Sequence, residues 1–197
     1  MVMPRATLSI WPAAWGLQPP TRTSQMAGWH IWVQSLAWNA SRNCVSPVGI
    51  PKPIWVSMAL PGAARLLAQL PDNRFAIVTS ATRPLALARL GYAGLPVPRH
   101  MVTADDVVYG KPSPEPYLKG AALLGFTQAD CLIFEDSPAG ISSARSAGMK
   151  AIALQTTYPA DQLQAAHAII GSLADVKANL ADEGITLELA PFPWVKS

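Results

Sequence analysis

Three short stretches of the sequence hold residue types that belong together chemically. Ser80-Ala81-Thr82 follows the apolar run Phe75-Ala76-Ile77-Val78-Thr79. A hydroxyl and backbone N–H groups therefore stand before a helix start, which makes an anion site. Lys111 lies between Gly110 and Pro112, on a loop stiffened by Pro112, Pro114 and Pro116. Glu135 and Asp136 follow the apolar run Cys131-Leu132-Ile133-Phe134. A hydroxyl, an ammonium and a carboxylate pair are the parts of a magnesium-dependent phosphoryl-transfer site. The first two hold phosphate oxygens, and the carboxylate holds the metal.

The elements that must position these groups are legible from about Ala59 onward. Leu60–Leu70 reads as an amphipathic helix and Phe75–Thr79 as a buried strand. Residues 84–90 read as a helix with Thr82 as N-cap, Pro84 in the first turn and Gly91 as its close. A short strand near His100–Thr103 and the Gly110–Pro114 loop follow, then a helix over 115–124. Next come a strand at Cys131–Phe134, a helix at Pro138–Ala147 stopped by Gly148 and a strand at Lys150–Leu154. A short helix near 161–166, a strand at Ala168–Ile170 and a helix at 172–180 complete the series. Strands alternating with helices predict an α/β fold with a parallel sheet and helices on both faces. In such sheets ligands meet the carboxyl ends of the strands, where all three stretches lie.

Three motifs carry a family resemblance. Ile77-Val78-Thr79-Ser80-Ala81-Thr82, then Gly110-Lys111-Pro112-Ser113-Pro114-Glu115-Pro116-Tyr117-Leu118, then Phe134-Glu135-Asp136-Ser137-Pro138-Ala139-Gly140-Ile141 occur in that order. They resemble the second, third and fourth motifs of the haloacid dehalogenase superfamily, in particular its small sugar- and polyol-phosphate phosphatases related to β-phosphoglucomutase. The resemblance runs from about residue 59 to about 185. It implies a Rossmann-like sheet with a helical cap inserted after the first strand, and Mg2+ as cofactor. Ser80 would hydrogen-bond the phosphate, helped by the Ala81 N–H, and Lys111 would neutralise phosphate and nucleophile. Asp136 would reach magnesium, with Glu135 binding it directly or through water. Thr82 and Ser113 would lie on the substrate side.

The chain departs from the family at its start. The family's first motif is an apolar strand ending in Asp-x-Asp-Gly-Thr, whose first Asp is the covalent nucleophile and whose second is the general acid/base. No Asp precedes Asp72 here, and no helical cap is recognisable in residues 1–58. Covalent phosphoryl transfer needs a carboxylate in line with phosphorus, and losing it should cost on the order of 10⁴ to 10⁶ in rate. The strand bearing that motif is central in the family, so its absence would leave unpaired edges. Ile54–Met58 and His30–Val33 are the candidates to fill that place, although neither reads as a buried strand bounded by turn signals.

Residues 1–71 contain five basic residues (Arg5, Arg22, Arg42, Lys52, Arg65) and no acid, so the net charge of +3 comes from this stretch alone. Six of the seven tryptophans and prolines at 4, 12, 19, 20, 47, 51 and 53 crowd the same region. This composition is what out-of-frame translation of a gene's opening would give. A genuine but unusual or disordered segment and a fusion are the alternatives. The expected organisation is therefore 1–58 atypical, irregular or replacing the usual first strand and cap; 59–185 the core; and 186–197 a tail.

The remaining features exclude more than they suggest. Scattered bases form no nucleic-acid stripe, and no apolar run is long enough to span a membrane. Cys44 and Cys131 make neither a disulfide framework nor a CxxC, and Pro12 interrupts the one leader-like run, so a cytoplasmic monomer is expected. His30, His100 and His167 have no ligand partner at helical spacing, and Asp105-Asp106 reads as a solvated turn or helix cap. Two functional expectations remain. One is a magnesium-dependent phosphatase of small sugar or polyol phosphates, here missing its nucleophile motif. The other is a non-catalytic remnant that binds a small phosphorylated metabolite or is an unstable fragment.

Overall fold

The computed structural model describes residues 8–10, 30–33, 37–39, 57–181 and 184–189. Six strands form one parallel sheet: β2 (His30–Val33), β5 (Phe75–Val78), β6 (Met101–Val102), β7 (Cys131–Glu135), β8 (Lys150–Leu154) and β9 (Ala168–Ile170). Their order is β6-β5-β2-β7-β8-β9. Of the remaining strands, β3 (Ala37–Asn39) pairs antiparallel with β4 (Ser57–Ala59). A second sheet joins β1 (Leu8–Ile10) to β11 (Gly184–Leu189) and β10 (Val176–Ala181).

Of the two candidates for the central place, His30–Val33 fills it as β2. Ile31 pairs with Phe75 on one side, while His30 to Val33 run against Cys131 to Phe134 on the other. Flanking strands buried on both faces demand only a short apolar partner, which Ile31-Trp32-Val33 supplies without turn signals. Of the other candidate segment, Ser57 and Met58 belong to β4.

Strand alternation sorts the core onto two faces. Phe75 and Ile77 of β5 and Leu132 and Phe134 of β7 face α1 (Ala63–Ala68) and α2 (Arg83–Tyr92). Ala76, Val78, Cys131 and Ile133 face α3 (Glu115–Leu124) and α4 (Pro138–Ser146). Cys131 is accordingly a buried thiol, and it donates to the Thr127 carbonyl. The left-handed stop expected after α4 falls on Gly148, and Gly125 closes α3 in the same conformation. Helix α2 runs through Gly91 instead of stopping there, and Gly94 takes the left-handed turn.

Three expectations about the last third are corrected. The short helix near 161–166 is a single 3-10 turn, Ala160–Leu163. The helix expected at 172–180 is another 3-10 turn, Leu173–Asp175, followed by β10. Val176 and Ala178 bury alternately with Lys177 and Asn179 exposed, and β11 offers the matching run Ile185, Leu187 and Leu189. Period two with an antiparallel partner outweighs the helix propensity of Lys, Ala and Leu. Because β11 continues to Leu189, the boundary expected at 185 falls inside a strand whose Leu187 and Leu189 are core residues. Among the described residues, no helix is long and apolar enough to cross a membrane.

Candidate active site

Glu135 ends β7 and its carboxylate is the best-satisfied acid in the described site. Oε2 accepts from Lys111 Nζ at 3.0 Å and from the Tyr117 hydroxyl at 2.5 Å. Oε1 accepts from the Ser137 N–H at 3.0 Å and the Ser137 hydroxyl at 2.7 Å. The Ser137 Oγ in turn caps α4 by accepting from the Gly140 N–H at 3.1 Å. Gly140 has to be a glycine, since a Cβ there would overlap the Glu135 carboxyl group. The side chains of Lys111 and Glu135 are 4% and 0% exposed. Burial pushes the Glu135 carboxyl up, but the Lys111 charge and the bonds from Tyr117, Ser137 and Lys111 outweigh it and hold the group below its ordinary range. Burial pulls the Lys111 ammonium down, partly offset by Glu135 and Asp136. Burial likewise raises Tyr117, so its hydroxyl stays a donor.

The loop that delivers Lys111 is tied at both ends. Glu115, in the first turn of α3, accepts from the Val108 and Tyr109 N–H groups at 2.9 and 2.8 Å and pairs with Lys119 at 2.9 Å. Those bonds, led by the Val108 N–H, lower its carboxyl to about 2. Ser113 sits inside this arrangement: its Oγ accepts from the Glu115 N–H and its carbonyl accepts from Ser143 on α4. The residue expected on the substrate side is therefore already part of the loop's internal bonding.

The β5 side is looser. Ser80 and Thr82 are exposed, and the Ala81 N–H, expected to help hold phosphate, donates to Thr79 Oγ1 at 3.1 Å. Thr82 is the N-cap of α2 by position, without a side-chain bond. Asp105 does that work, accepting from the Arg83 N–H at 2.8 Å, while Asp106 pairs with Arg83 and bonds Thr103. The acid pair is thus a capping device. With β2 between them, the ends of β5 and β7 lie two strand spacings apart, about 10 Å. The sequence continues from Val33 with Gln34-Ser35.

The structure brings Lys111 and Glu135 into contact and sets Asp136 beside them, half-buried and accepting from Thr157 Oγ1 at 3.3 Å. As magnesium donors the two acids differ. One carboxylate with waters and substrate phosphate oxygens is an arrangement magnesium accepts, and Asp136 suits it. Glu135, with four acceptor positions filled, is given to Lys111, Tyr117 and Ser137 instead. Among the described residues no group of three His, Cys, Asp or Glu gathers as a metal site. His167 is structural, its Nδ1 accepting from the Ala151 N–H. Sequence reasoning passes over Tyr117 and Thr157. Tyr117 is signalled only by standing in the third motif after Lys111, and Thr157 only by following the carboxyl end of β8.

Residues 52–148 match the sequence pattern of the haloacid dehalogenase-like hydrolases. The chain is 41% identical over 128 residues to hexitol phosphatase A of Escherichia coli, covering 64% of this chain and 59% of that protein. It is 40% identical over 118 residues to glycerol-1-phosphate phosphohydrolase 2 of Saccharomyces cerevisiae, covering 55% and 47%. Among solved structures it resembles CbbY from Rhodobacter sphaeroides in complex with phosphate, with a TM-score of 0.55 and 26% identity over 60% of this chain and 56% of that one. The chain thus spans about half the length of these relatives. In its motifs and its parallel sheet, this chain thus resembles the haloacid dehalogenase-like hydrolases, the family model matching residues 52–148.

Proposed function

We propose that the chain binds a small phosphorylated metabolite, a sugar or polyol phosphate, at the carboxyl ends of β5, β2 and β7, in a phosphatase-type site that uses magnesium. The observation that carries this reading is the Lys111 ammonium, buried yet set at the strand ends and held by a carboxylate. A buried cation there attracts a dianion far more strongly than a solvated lysine would. Ser80 would add a hydrogen bond from the opposite flank. Asp136 would hold magnesium, whose chemistry is to neutralise charge on the transferring phosphoryl group. The relatives named for hexitol and glycerol-1-phosphate hydrolysis support a polyol phosphate as the ligand class. A cytoplasmic chain acting as a monomer is part of the proposal.

A second reading, binding without efficient turnover, is favoured by one feature of the sequence: no carboxylate occurs before Asp72. An aryl phosphate assay with and without magnesium, run beside thermal melts with inorganic phosphate, separates the two. Magnesium-dependent turnover supports the phosphatase. A cooperative melt raised by phosphate, without turnover, supports the binding protein. A melt that phosphate leaves unmoved, together with no turnover, refutes the site.

A further inference from the structure

We infer that Tyr117 is a positioning residue that fills the last acceptor position of Glu135, so keeping that carboxylate on Lys111 and leaving the lysine free to hold an anion. The inference rests on the phosphate-site reading above and deepens it. Tyr117 is fully buried in the first turn of α3 and touches both members of the ion pair. Its hydroxyl lies 2.5 Å from Glu135 Oε2, and its ring centroid lies 4.6 Å from Lys111 Nζ.

An ionised carboxylate offers about four lone-pair positions. On Glu135 the Ser137 N–H and hydroxyl take two on Oε1, and Lys111 and Tyr117 take two on Oε2. None remains for a metal ion. Nor can a second ammonium N–H find a place on this carboxylate. An ammonium carries three donors, so Lys111 commits one to Glu135 and keeps others for a phosphate oxygen. The tyrosine ring contributes separately, since its face attracts the cation without consuming a donor. A phenylalanine would pack equally well. The hydroxyl is what decides how strongly Oε2 draws on the ammonium.

The test compares the wild-type chain with Tyr117→Phe, which retains the ring and the shape. Inorganic phosphate affinity is measured by calorimetry, and unfolding is followed by urea in the absence of any ligand. Loss of the hydroxyl leaves Lys111 as the one donor on Oε2, so the carboxylate draws the ammonium more strongly to itself, weakening phosphate binding about tenfold. In the ligand-free unfolding curves, Tyr117→Phe and Lys111→Met couple: their joint effect differs from the sum of the single ones. Glu135→Gln replaces Lys111→Met in that cycle should the latter fail to fold. Unchanged phosphate affinity in Tyr117→Phe with merely lowered stability overturns the inference, as do additive effects in the cycle. Failure of the wild-type chain to bind phosphate defeats the functional reading instead, and the ligand-free cycle then still decides whether Tyr117 governs Lys111.

Discussion

The two flanks of the candidate site are built in opposite ways. On the β7 flank, Lys111, Glu135, Tyr117, Ser137 and Gly140 interlock through buried hydrogen bonds. On the β5 flank, Ser80 and Thr82 are exposed and Thr79 occupies the Ala81 N–H. The buried charge is fixed in advance, so the anion proposed above would meet little reorganisation on that flank. The hydroxyls opposite lie in solvent and can adjust. This contrast predicts a steep gradient of mutational effect across a site about 10 Å wide.

The largest effect belongs to Lys111→Met, which strands a buried carboxylate and should destabilise the fold by about 3–5 kcal/mol. Ser80→Ala, on the other flank, should stay within about 0.5 kcal/mol while weakening phosphate binding. Urea unfolding of both variants measures the gradient directly, and equal losses would erase the contrast. A similar pairing sharpens it at two glycines. At Gly140 an added methyl would drive into a Glu135 side chain pinned by four donors, so Gly140→Ala should cost about 1–3 kcal/mol. At Gly91, in α2, an added Cβ would meet nothing within 4 Å, and Gly91→Ala should stabilise by about 0.5–1 kcal/mol. A Gly140→Ala chain as stable as wild type would mean that Glu135 is free to move.

The same contrast explains what is legible in the sequence. Elements bounded by glycine, proline and capping residues, such as α3 and α4, lie where periodicity and punctuation place them. The central strand is obscure because His30-Ile31-Trp32-Val33 has no punctuation, and its place is set by the two edges it joins. Strand β10 misleads for a related reason: its partner β11 decides its state, and local propensity points to helix. Within the site, Ser80, Lys111, Glu135 and Asp136 stand out by type and by their place at strand ends. Their division of labour does not, because adjacent carboxylates look equivalent in sequence. Only the packing of α3 and α4 directs Glu135 inward to Lys111 and Tyr117, and lets Asp136 meet Thr157 at the mouth.

The smallest effect tests how the interlocked flank is tethered to the surface. Glu115 binds the Val108 and Tyr109 N–H groups and so holds the loop leading to Lys111. Its carboxyl stands at about 2 in the fold against an ordinary 4.5, so folding favours the charged form. The stabilisation is therefore full above about pH 4.5, declines as pH falls through that interval and is gone below about 2. Glu115→Gln retains one acceptor oxygen and loses the charge. Its melting temperature should fall slightly below wild type at pH 7, and the two should converge as the pH drops from 4.5 towards 2. Salt should narrow the gap at pH 7, because the group is accessible to solvent. A gap that is constant across this range would mean that the loop is held by shape alone. A gap that widens on acidification would reverse the sign of the Glu115 contribution and detach the surface tether from the buried pair it serves.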